Sequence, residues 1–314
     1  EEGAFYVWQK EELKTLLKED YALFSDYYNI NSYGLWEHDN YVLIRKDADD
    51  AICKKYELTN ELLREKKHKW NDLLLTIRNK RPKPRLDDKS LTSWNAIMLK
   101  GYIDAYRVFG NKAYLASAEK NAVFIIHNQL REDGGLNHNY KNGQSTINGY
   151  LEDYASTIDA FISLYENTLD DKWLITARNL TNYTFDHFFD ENSRMFFFTS
   201  NEDDALVSRS IEYRDNVIPA SNSIMAKNLF KLAHYFDNEH YSKTAVIMLN
   251  NVKPEIEDYA SGYSNWLDLM LNYTNPFYEI AIVGNEASSK ISELNQSYLP
   301  NKLIAGSITD KDSP

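Results

Sequence analysis

The sequence predicts an all-α fold in which helical hairpins form an α/α toroid, and three observations support this prediction. An apolar pattern with helical spacing occurs three times, each copy begins at a polar residue, and the longest connections fall between the copies. Self-similarity over tens of residues is typical of repeated helical units. With 314 residues and 43% hydrophobic content, the chain can bury a large core.

The three repeats align when the polar residue at each start is used as the anchor. The anchors are Asn95, Asp153 and Asn222. An aromatic residue of the second helix follows each anchor at nearly the same distance, at Tyr114, Trp173 and Tyr241. The first helix of each unit is apolar on most faces and the second keeps a charged face, which indicates an inner and an outer helix. The links VFGNK, TLDDK and YFDNE carry the residues that short turns prefer.

Further elements precede and follow the repeats. Helices are predicted at Lys10 to Lys18 and Asn60 to Lys80, and a fourth inner helix at Ser261 to Tyr273. The long connection from Gln129 to Leu151 contains GGLNHNYKNG, which is typical of a β-hairpin, and that from Asp186 to Pro219 contains the strand MFFFT. Because every unit runs inner helix, turn, outer helix, the long loops and the inner-helix N-termini should share one face, around a funnel.

The pattern changes after Pro276. The segment YEIAIVG predicts a strand, residues 286–298 a helix, and KLIAGS a second strand. We therefore expect two parts, a partial toroid at 1–275 and a strand-helix-strand extension at 276–314. Gly284 at a strand end is compatible with a phosphate-binding loop, but the second glycine and the Gly-Lys-Ser/Thr ending of a P-loop are missing. A structural appendage is the favoured interpretation.

Charge and composition exclude several kinds of partner. The net charge of -12 argues against nucleic acid and against an anionic membrane, and the basic run KRPKPR is too short to reverse this. No apolar stretch has the roughly 20 residues of a membrane span. Cys53 is the only cysteine, so no internal disulfide or zinc cluster can form, which fits a cytoplasmic location. Glu1 is not an initiator methionine, and we expect a fragment of a longer protein.

Five motifs carry a resemblance to a known family. They are EEGAFYVW at residues 1–8, RPKPRLDDKSLTSWN at 81–95, NGYLEDYA at 148–155, PASNS at 219–223 and EIAIVG at 279–284. With these motifs the chain resembles the spermatogenesis-associated protein 20 family, whose bacterial members are called thioredoxin domain-containing proteins. The resemblance implies a thioredoxin-like domain followed by an α/α toroid similar to six-hairpin glycosidases and N-acylglucosamine 2-epimerase.

The sequence departs from the family pattern in two places. The chain begins where the family's toroid is already part-way through, so the toroid is expected to be incomplete at its N-terminus. The thioredoxin-like domain would then be a partner within the same parent chain. The family often has an arginine in the hairpin before NGYLEDYA, where this sequence places His138.

The resemblance to six-hairpin glycosidases and epimerases implies a saccharide ligand, and the residue types on the predicted rim suit a carbohydrate. Glycoside hydrolysis needs two carboxyl groups across a sugar, and Asp87 or Asp88 with Glu152 or Asp153 could supply them. Epimerisation would instead use a His or Lys acid/base pair, for which His138 and Lys89 are candidates. The predicted catalytic residues are Asp88, Glu152 and Asp153. The predicted substrate-binding residues are Asp87, Lys89, Trp94, Asn95, His138, Tyr154, Ser221 and Asn222. Tyr150 offers a further flat face for a sugar ring. We predict no metal and no cofactor.

Structural roles are open alternatives for the same residues. Asp153, Asn95 and Asn222 each begin a helix, where capping alone would explain them. Asp88 and Lys89 could form a solvated or ion-paired turn, and Trp94 could serve helix packing. The histidines on predicted helices have no metal-ligand spacing. A non-catalytic helical scaffold attached to a thioredoxin-like domain is therefore the alternative function.

Overall fold

A computed structural model describes residues 3–204 and 207–309, and the chain divides into two compact units, residues 1–87 and 88–314. Glu1 and Glu2, which begin the first family motif, lie outside the described residues. The predicted boundary between residues 275 and 276 stays a prediction.

In its described residues, unit 1 contains four α-helices, a short 3-10 helix at Lys18–Asp20 and one short strand pair. The helices are α1 (Lys10–Leu17), α2 (Tyr21–Tyr27), α3 (Asp49–Tyr56) and α4 (Asn60–Arg78). Strand β1 (Trp8–Gln9) pairs antiparallel with β2 (Asn40–Tyr41). Helix α4 begins after Thr59, whose hydroxyl accepts the Leu62 N–H. The predicted helices at residues 10 and 60 are confirmed, whereas α2 and α3 were not predicted.

Unit 2 contains the three predicted hairpins and the fourth inner helix. The helices are α5 (Thr92–Phe109), α6 (Lys112–Asn128), α7 (Leu151–Thr168), α8 (Asp171–Phe188), α9 (Ser221–Phe236), α10 (Glu239–Ile256) and α11 (Ser264–Thr274). The three hairpin turns have the same two kinds of capping residue in the same order. A left-handed residue ends the first helix, namely Gly110, Leu169 or Asp237. An Asn or Asp side chain then caps the second, namely Asn111, Asp170 or Asn238.

The inner helices lie side by side in chain order. Helix α7 packs against α5 and α9, α9 packs against α11, and each outer helix packs against its own inner partner. Helix α7 is buried on nearly every face, as expected for a helix that is apolar all round. The predicted α/α toroid architecture of inner and outer helices is therefore confirmed for unit 2.

The long connections carry two further strand pairs. Strand β3 (Ser90–Leu91) pairs antiparallel with β4 (Asn139–Tyr140), and β5 (Phe189–Asp190) pairs with β6 (Met195–Phe196). The predicted hairpin is present, because Lys141 bridges Gln144 within the loop. Its pairing with Ser90 and Leu91 was not predicted from the sequence. This pairing fixes the segment before α5 against the loop before α7.

The C-terminal segment forms the predicted strand-helix-strand. Strands β7 (Tyr278–Val283) and β8 (Lys302–Ser307) pair in parallel, with α12 (Ala287–Leu294) between them. Leu169, after the end of α7, packs in one apolar cluster with residues of α12 and β8. Tyr235 near the end of α9 donates its hydroxyl to the Ile304 carbonyl at 2.9 Å. The extension therefore covers the C-terminal ends of inner helices, opposite the long loops.

None of the helices in the described part of the chain has the length and the apolar composition that a membrane span requires.

Candidate functional site

Asp153 connects the first turns of two inner helices. Its side chain is fully buried on α7, where Oδ2 accepts the backbone N–H of Tyr150 at 2.9 Å. Its Oδ1 accepts the backbone N–H of Ser93, the second residue of α5, at 2.8 Å. The first N–H groups of a helix have no partner within the helix, so a carboxylate here satisfies both. The capping role of Asp153 is present whatever else this residue does.

The same carboxylate holds the ring of His138. Nδ1 of His138 lies 2.9 Å from Oδ2 of Asp153, and only 15% of the histidine side chain is exposed. The ring also contacts Tyr150, with centroids 4.7 Å apart. The hydrogen bond to Asp153 raises the pKa of His138, while its partial burial acts in the opposite direction. In the neutral ring, an Nδ1–H that donates to Asp153 leaves Nε2 as the proton acceptor.

Glu152 lies beside this pair. Burial raises the pKa of the Glu152 carboxyl, and the neighbouring charges of Asp153 and Glu212 raise it further, whereas His138 opposes the shift. The Ser93 hydroxyl donates to Oε1 of Glu152 at a long 3.4 Å. A half-buried carboxyl with a raised pKa and acidic neighbours is suited to carry and transfer a proton.

Ser221 and Asn222 start the next inner helix and contact the loop before it. The Ser221 hydroxyl donates to Oε2 of Glu212 at 2.8 Å. The Asn222 side chain is fully buried, accepts the Phe196 N–H at 2.8 Å, and donates to the carbonyls of Phe196 and Glu212. These bonds give Asn222 a structural role between β6 and α9. Its predicted contact with a substrate stays a prediction.

The residues of the stretch RLDDKSLTSWN differ in how they relate to the candidate site around Asp153 and His138. Asp88 forms an exposed ion pair with Lys141 of the hairpin. Lys89 is exposed, and its charge lowers the pKa of His138 against the larger effect of Asp153. Asn95 donates its side-chain amide to the Leu91 carbonyl at 2.7 Å. Trp94 is 65% exposed, so its ring is not used for packing within the core. Asp87 is exposed and ends unit 1.

Tyr154 is fully buried behind this rim. Its hydroxyl accepts the Leu136 N–H at 2.7 Å, and its ring stacks on Tyr183 with centroids 5.4 Å apart. Tyr150 instead stacks on Phe198 and is half-buried beside His138. Of the two tyrosines, Tyr150 is therefore the one placed next to the candidate acid and base.

Three residues that build the site were not predicted from the sequence. Ser93 supplies the N–H that binds Asp153. Glu212 accepts the Ser221 hydroxyl, and its negative charge helps to raise the pKa of Glu152. Asp215 repeats the role of Asp153, because it accepts the N–H groups of Ala220 before α9 and Asn265 in α11. A signal was available in IEYRDNVIPASNS, where two acidic residues stand just before a predicted helix start.

The ligand atoms of His138, Glu152 and Asp153 lie within 4.8 Å of one another, which makes them the candidate cation ligands among the described residues. However, the two oxygens of Asp153 already interact with two backbone N–H groups and the histidine ring. A cation bound there would displace the His138 contact. The arrangement thus fits proton transfer better than metal coordination.

Comparison with known proteins places the chain among relatives of spermatogenesis-associated protein 20. No family model matches the chain. It is 28% identical to an uncharacterized protein of Caenorhabditis elegans, over 99% of this chain and 46% of the relative. It is 25% identical to spermatogenesis-associated protein 20 of Homo sapiens, over 96% of this chain and 43% of the relative. The chain thus spans less than half the length of these relatives. The predicted resemblance is confirmed.

Two solved structures resemble part of the chain. One is a family 76 glycoside hydrolase, an α-mannanase of Bacteroides thetaiotaomicron, with a TM-score of 0.45, 17% identity, and coverage of 56% of this chain and 46% of that chain. The other is cellobiose 2-epimerase of Bacillus thermoamylovorans, with a TM-score of 0.45, 14% identity, and coverage of 54% of this chain and 46% of that chain.

Proposed function

We propose that unit 2 is a carbohydrate-active domain of glycosidase-like or epimerase-like type, which binds a saccharide at the N-terminal ends of its inner helices. The observation that carries this proposal is the placement of His138 and Glu152 side by side, with buried Asp153 orienting the histidine ring. A base and an acid in one small region are what sugar isomerisation and glycoside cleavage both require.

His138 is the proposed base. An ionised Asp153 accepts a hydrogen bond from Nδ1–H of His138, and in that tautomer Nε2 carries no proton and can accept one from a sugar carbon or hydroxyl. The imidazolium that forms is stabilised by the Asp153 carboxylate. A histidine base favours the epimerase-like form of the proposal, since glycoside hydrolysis uses two carboxyl groups, whereas a histidine suits proton transfer beside a sugar carbonyl.

Glu152 is the proposed acid. Its raised pKa keeps more of the carboxyl protonated near neutral pH than an exposed glutamate would be. Tyr150, beside the His138 ring, supplies an aromatic face on which a sugar ring can stack. In the glycosidase-like form, Glu152 would protonate the leaving oxygen and Glu212 or Asp88 would act as the second carboxylate.

Solvent deuterium incorporation tests the proposal. The protein is incubated with reducing sugars in D2O, and proton NMR follows the signal at the carbon next to the carbonyl. Loss of that signal, with appearance of the epimer, is the expected result for the epimerase-like form. Release of new reducing ends from oligosaccharides is the expected result for the glycosidase-like form. Binding is followed in parallel by thermal shift.

Three variants make the test specific. His138→Asn and Glu152→Gln should abolish turnover while saccharide binding persists. The matched control is Glu119→Gln, an exposed position on the outer helix α6. The proposal would be overturned if the protein showed no turnover of any sugar and no sugar raised its thermal stability.

A non-catalytic binding module is the second candidate function. It is favoured by the structural use of Asp153 and Asn222, whose side chains are fully buried and bonded to backbone groups. Saccharide binding without turnover, and without effect of Glu152→Gln, would support this candidate. The predicted thioredoxin-like domain of the parent chain would then be the part with chemical activity, which remains a proposal.

A further inference from the structure

A cavity of about 200 Å³ lies one helical turn inward from the candidate site. It is lined by the inner faces of α5, α7, α9 and α11. Ser156 follows Glu152 by four residues on α7, and Ile97 follows Ser93 by four on α5, so each pair lies on one helix face. The cavity therefore begins directly below Glu152 and Ser93.

The lining combines apolar surface with charged groups of both signs. Ile97, Ile224 and Pro219 supply the apolar surface. Lys100 and Lys227 contribute positive charge, and Asp159 contributes negative charge. The size is below the roughly 300–1,000 Å³ of pockets that take drug-sized ligands. One small molecule of monosaccharide size fits such a space better than a chain of sugars.

Three lysines and three carboxylates meet at this depth. Burial opposes ionisation of the Asp159 carboxyl, but the charges of Lys231, Lys100 and Lys227 lower its pKa. Lys231 is the lysine that bonds Asp159 directly, at 3.3 Å. The carboxylate partners of the other two, Asp104 for Lys100 and Asp268 for Lys227, are half exposed, and water screens them. An anion in the cavity would meet two ammonium groups whose present partners are solvated.

We infer that the ligand of the proposed saccharide site is an anionic monosaccharide, either a sugar acid or a sugar phosphate, whose charged group binds Lys100 and Lys227. The inference rests on the proposed function and names its substrate class. The charged end would reach into the cavity, while the carbons near the other end lie beside Glu152 and His138. Charge-assisted hydrogen bonds from two lysines would account for most of the selectivity.

Binding of matched sugar pairs tests this inference. Isothermal titration compares glucose with glucuronate and glucose 6-phosphate, and galactose with galacturonate. We expect the anionic member to bind at least about tenfold more tightly, and Lys100→Gln or Lys227→Gln to remove about that factor for the anionic member alone. The carboxylate and phosphate arms identify which anionic group is preferred.

Two further variants serve as controls. Lys227→Arg keeps the charge and should retain the preference, which separates loss of charge from loss of folding. Lys243→Gln removes an exposed lysine on α10 that pairs with Glu239, and should change nothing. Equal affinity for neutral and anionic sugars would overturn this inference and leave the proposed function intact. If no sugar of either kind binds, the proposed function fails and this inference fails with it.

Discussion

The carboxylate of Asp153 on α7 accepts the backbone N–H of Ser93 on α5 at 2.8 Å, so one buried side chain ties together the first turns of two neighbouring inner helices. Its other oxygen accepts the Tyr150 N–H and contacts Nδ1 of His138, both at 2.9 Å. Stability and the candidate chemistry therefore depend on the same carboxylate. Variants that change its charge and its hydrogen-bonding capacity separate the two roles.

Asp153→Asn is expected to destabilise the protein by about 1–3 kcal/mol. An asparagine has one acceptor oxygen and one NH2 group, so either the Ser93 or the Tyr150 N–H would face a donor instead of an acceptor. Urea unfolding measures the loss. The same substitution at Asp237, an exposed left-handed residue where Asn is well tolerated, is the control and should change stability by less than about 0.5 kcal/mol. An unchanged free energy of unfolding for Asp153→Asn would contradict the capping role.

The second prediction concerns the titration of His138. Asp153 raises the pKa of His138 above 6.5, and we expect NMR of the ring protons to find it there, with a lower value in Asp153→Asn. A raised pKa means that the folded state binds the proton more tightly than the unfolded state does. The pairing therefore stabilises the fold fully below pH 6.5, and this contribution is lost as the pH rises through the folded-state pKa.

The pH dependence of stability provides an independent measurement of the same effect. The difference in free energy of unfolding between the wild type and His138→Gln should be larger at about pH 6 than at about pH 9. The charges facing the ring are those of Asp153, Glu152 and Lys89, so Asp153→Asn should flatten the profile. A difference that grows toward high pH would show that the sign is wrong.

The sequence predicted most of the helices, but it did not predict every short helix or the strand pairing near the candidate site. The hairpins were predicted because a 3.6-residue apolar period and Asn or Asp turn residues act locally, as at Gly110 and Asn111. The short helices α2 and α3 were missed, although α1 and α12 are as short and were predicted. A helix of seven or eight residues has only about two turns, so its apolar pattern rests on few positions. The pairing of Ser90 and Leu91 with Asn139 and Tyr140 was missed because it joins distant segments without a pattern of its own.

For the candidate site, the sequence predicted where the residues lie on the helices but not which hydrogen bonds their side chains form. The repeat placed Asn95, Asp153 and Asn222 at equivalent helix starts, and all three lie in first turns, as the fourth residue of α5, the third of α7 and the second of α9. Which polar atoms bond to backbone groups depends on side-chain geometry that spacing cannot supply. Asn222 bonds to the backbone of Phe196 in β6 and of Glu212, and the repeat did not indicate that the charge of Glu212 acts on Glu152.

The third prediction is that Glu152→Gln stabilises the protein at pH 7, by about 0.5–1 kcal/mol. Burial and the charges of Asp153 and Glu212 raise the pKa of Glu152, so ionisation costs the folded state free energy above the unfolded value of 4.5. Gln removes that cost. The gain should shrink as the pH falls toward 4.5, because the wild-type carboxyl then becomes protonated. Thermal unfolding at several pH values measures it.

Glu119→Gln is the matched control for this prediction, since it removes an exposed glutamate from an outer helix and should alter stability by less than about 0.5 kcal/mol. A gain in stability together with the loss of turnover is what a residue kept for chemistry would produce. A lower midpoint for Glu152→Gln at pH 7 would instead assign Glu152 a stabilising role.

The fourth prediction concerns the ion pair of Arg107 and Glu166, which joins the last turns of the inner helices α5 and α7. Glu166 is almost fully buried, its carboxylate bonds Arg107, and it also accepts the Tyr235 hydroxyl at 3.2 Å. Glu166→Ala should cost about 3 kcal/mol, because it removes the buried partner of a largely buried guanidinium and leaves the half-exposed Asp104, 3.6 Å away, as its counter-charge. The double variant Arg107→Met with Glu166→Met should recover most of this loss, since no buried charge then remains unpaired.

The Arg107–Glu166 pair should also control the C-terminal extension. Tyr235 donates to Ile304 of β8 as well as to Glu166, and Tyr165 accepts the Gly306 N–H, so the extension is held to the same group of side chains. Hydrogen exchange at β8 should accelerate in Glu166→Ala more than exchange at α8, which lies on the outer side of its hairpin. Lys243→Gln, an exposed change on α10, should leave both rates unaltered. Equal acceleration throughout unit 2 would mean that the ion pair stabilises the fold globally and does not anchor the extension.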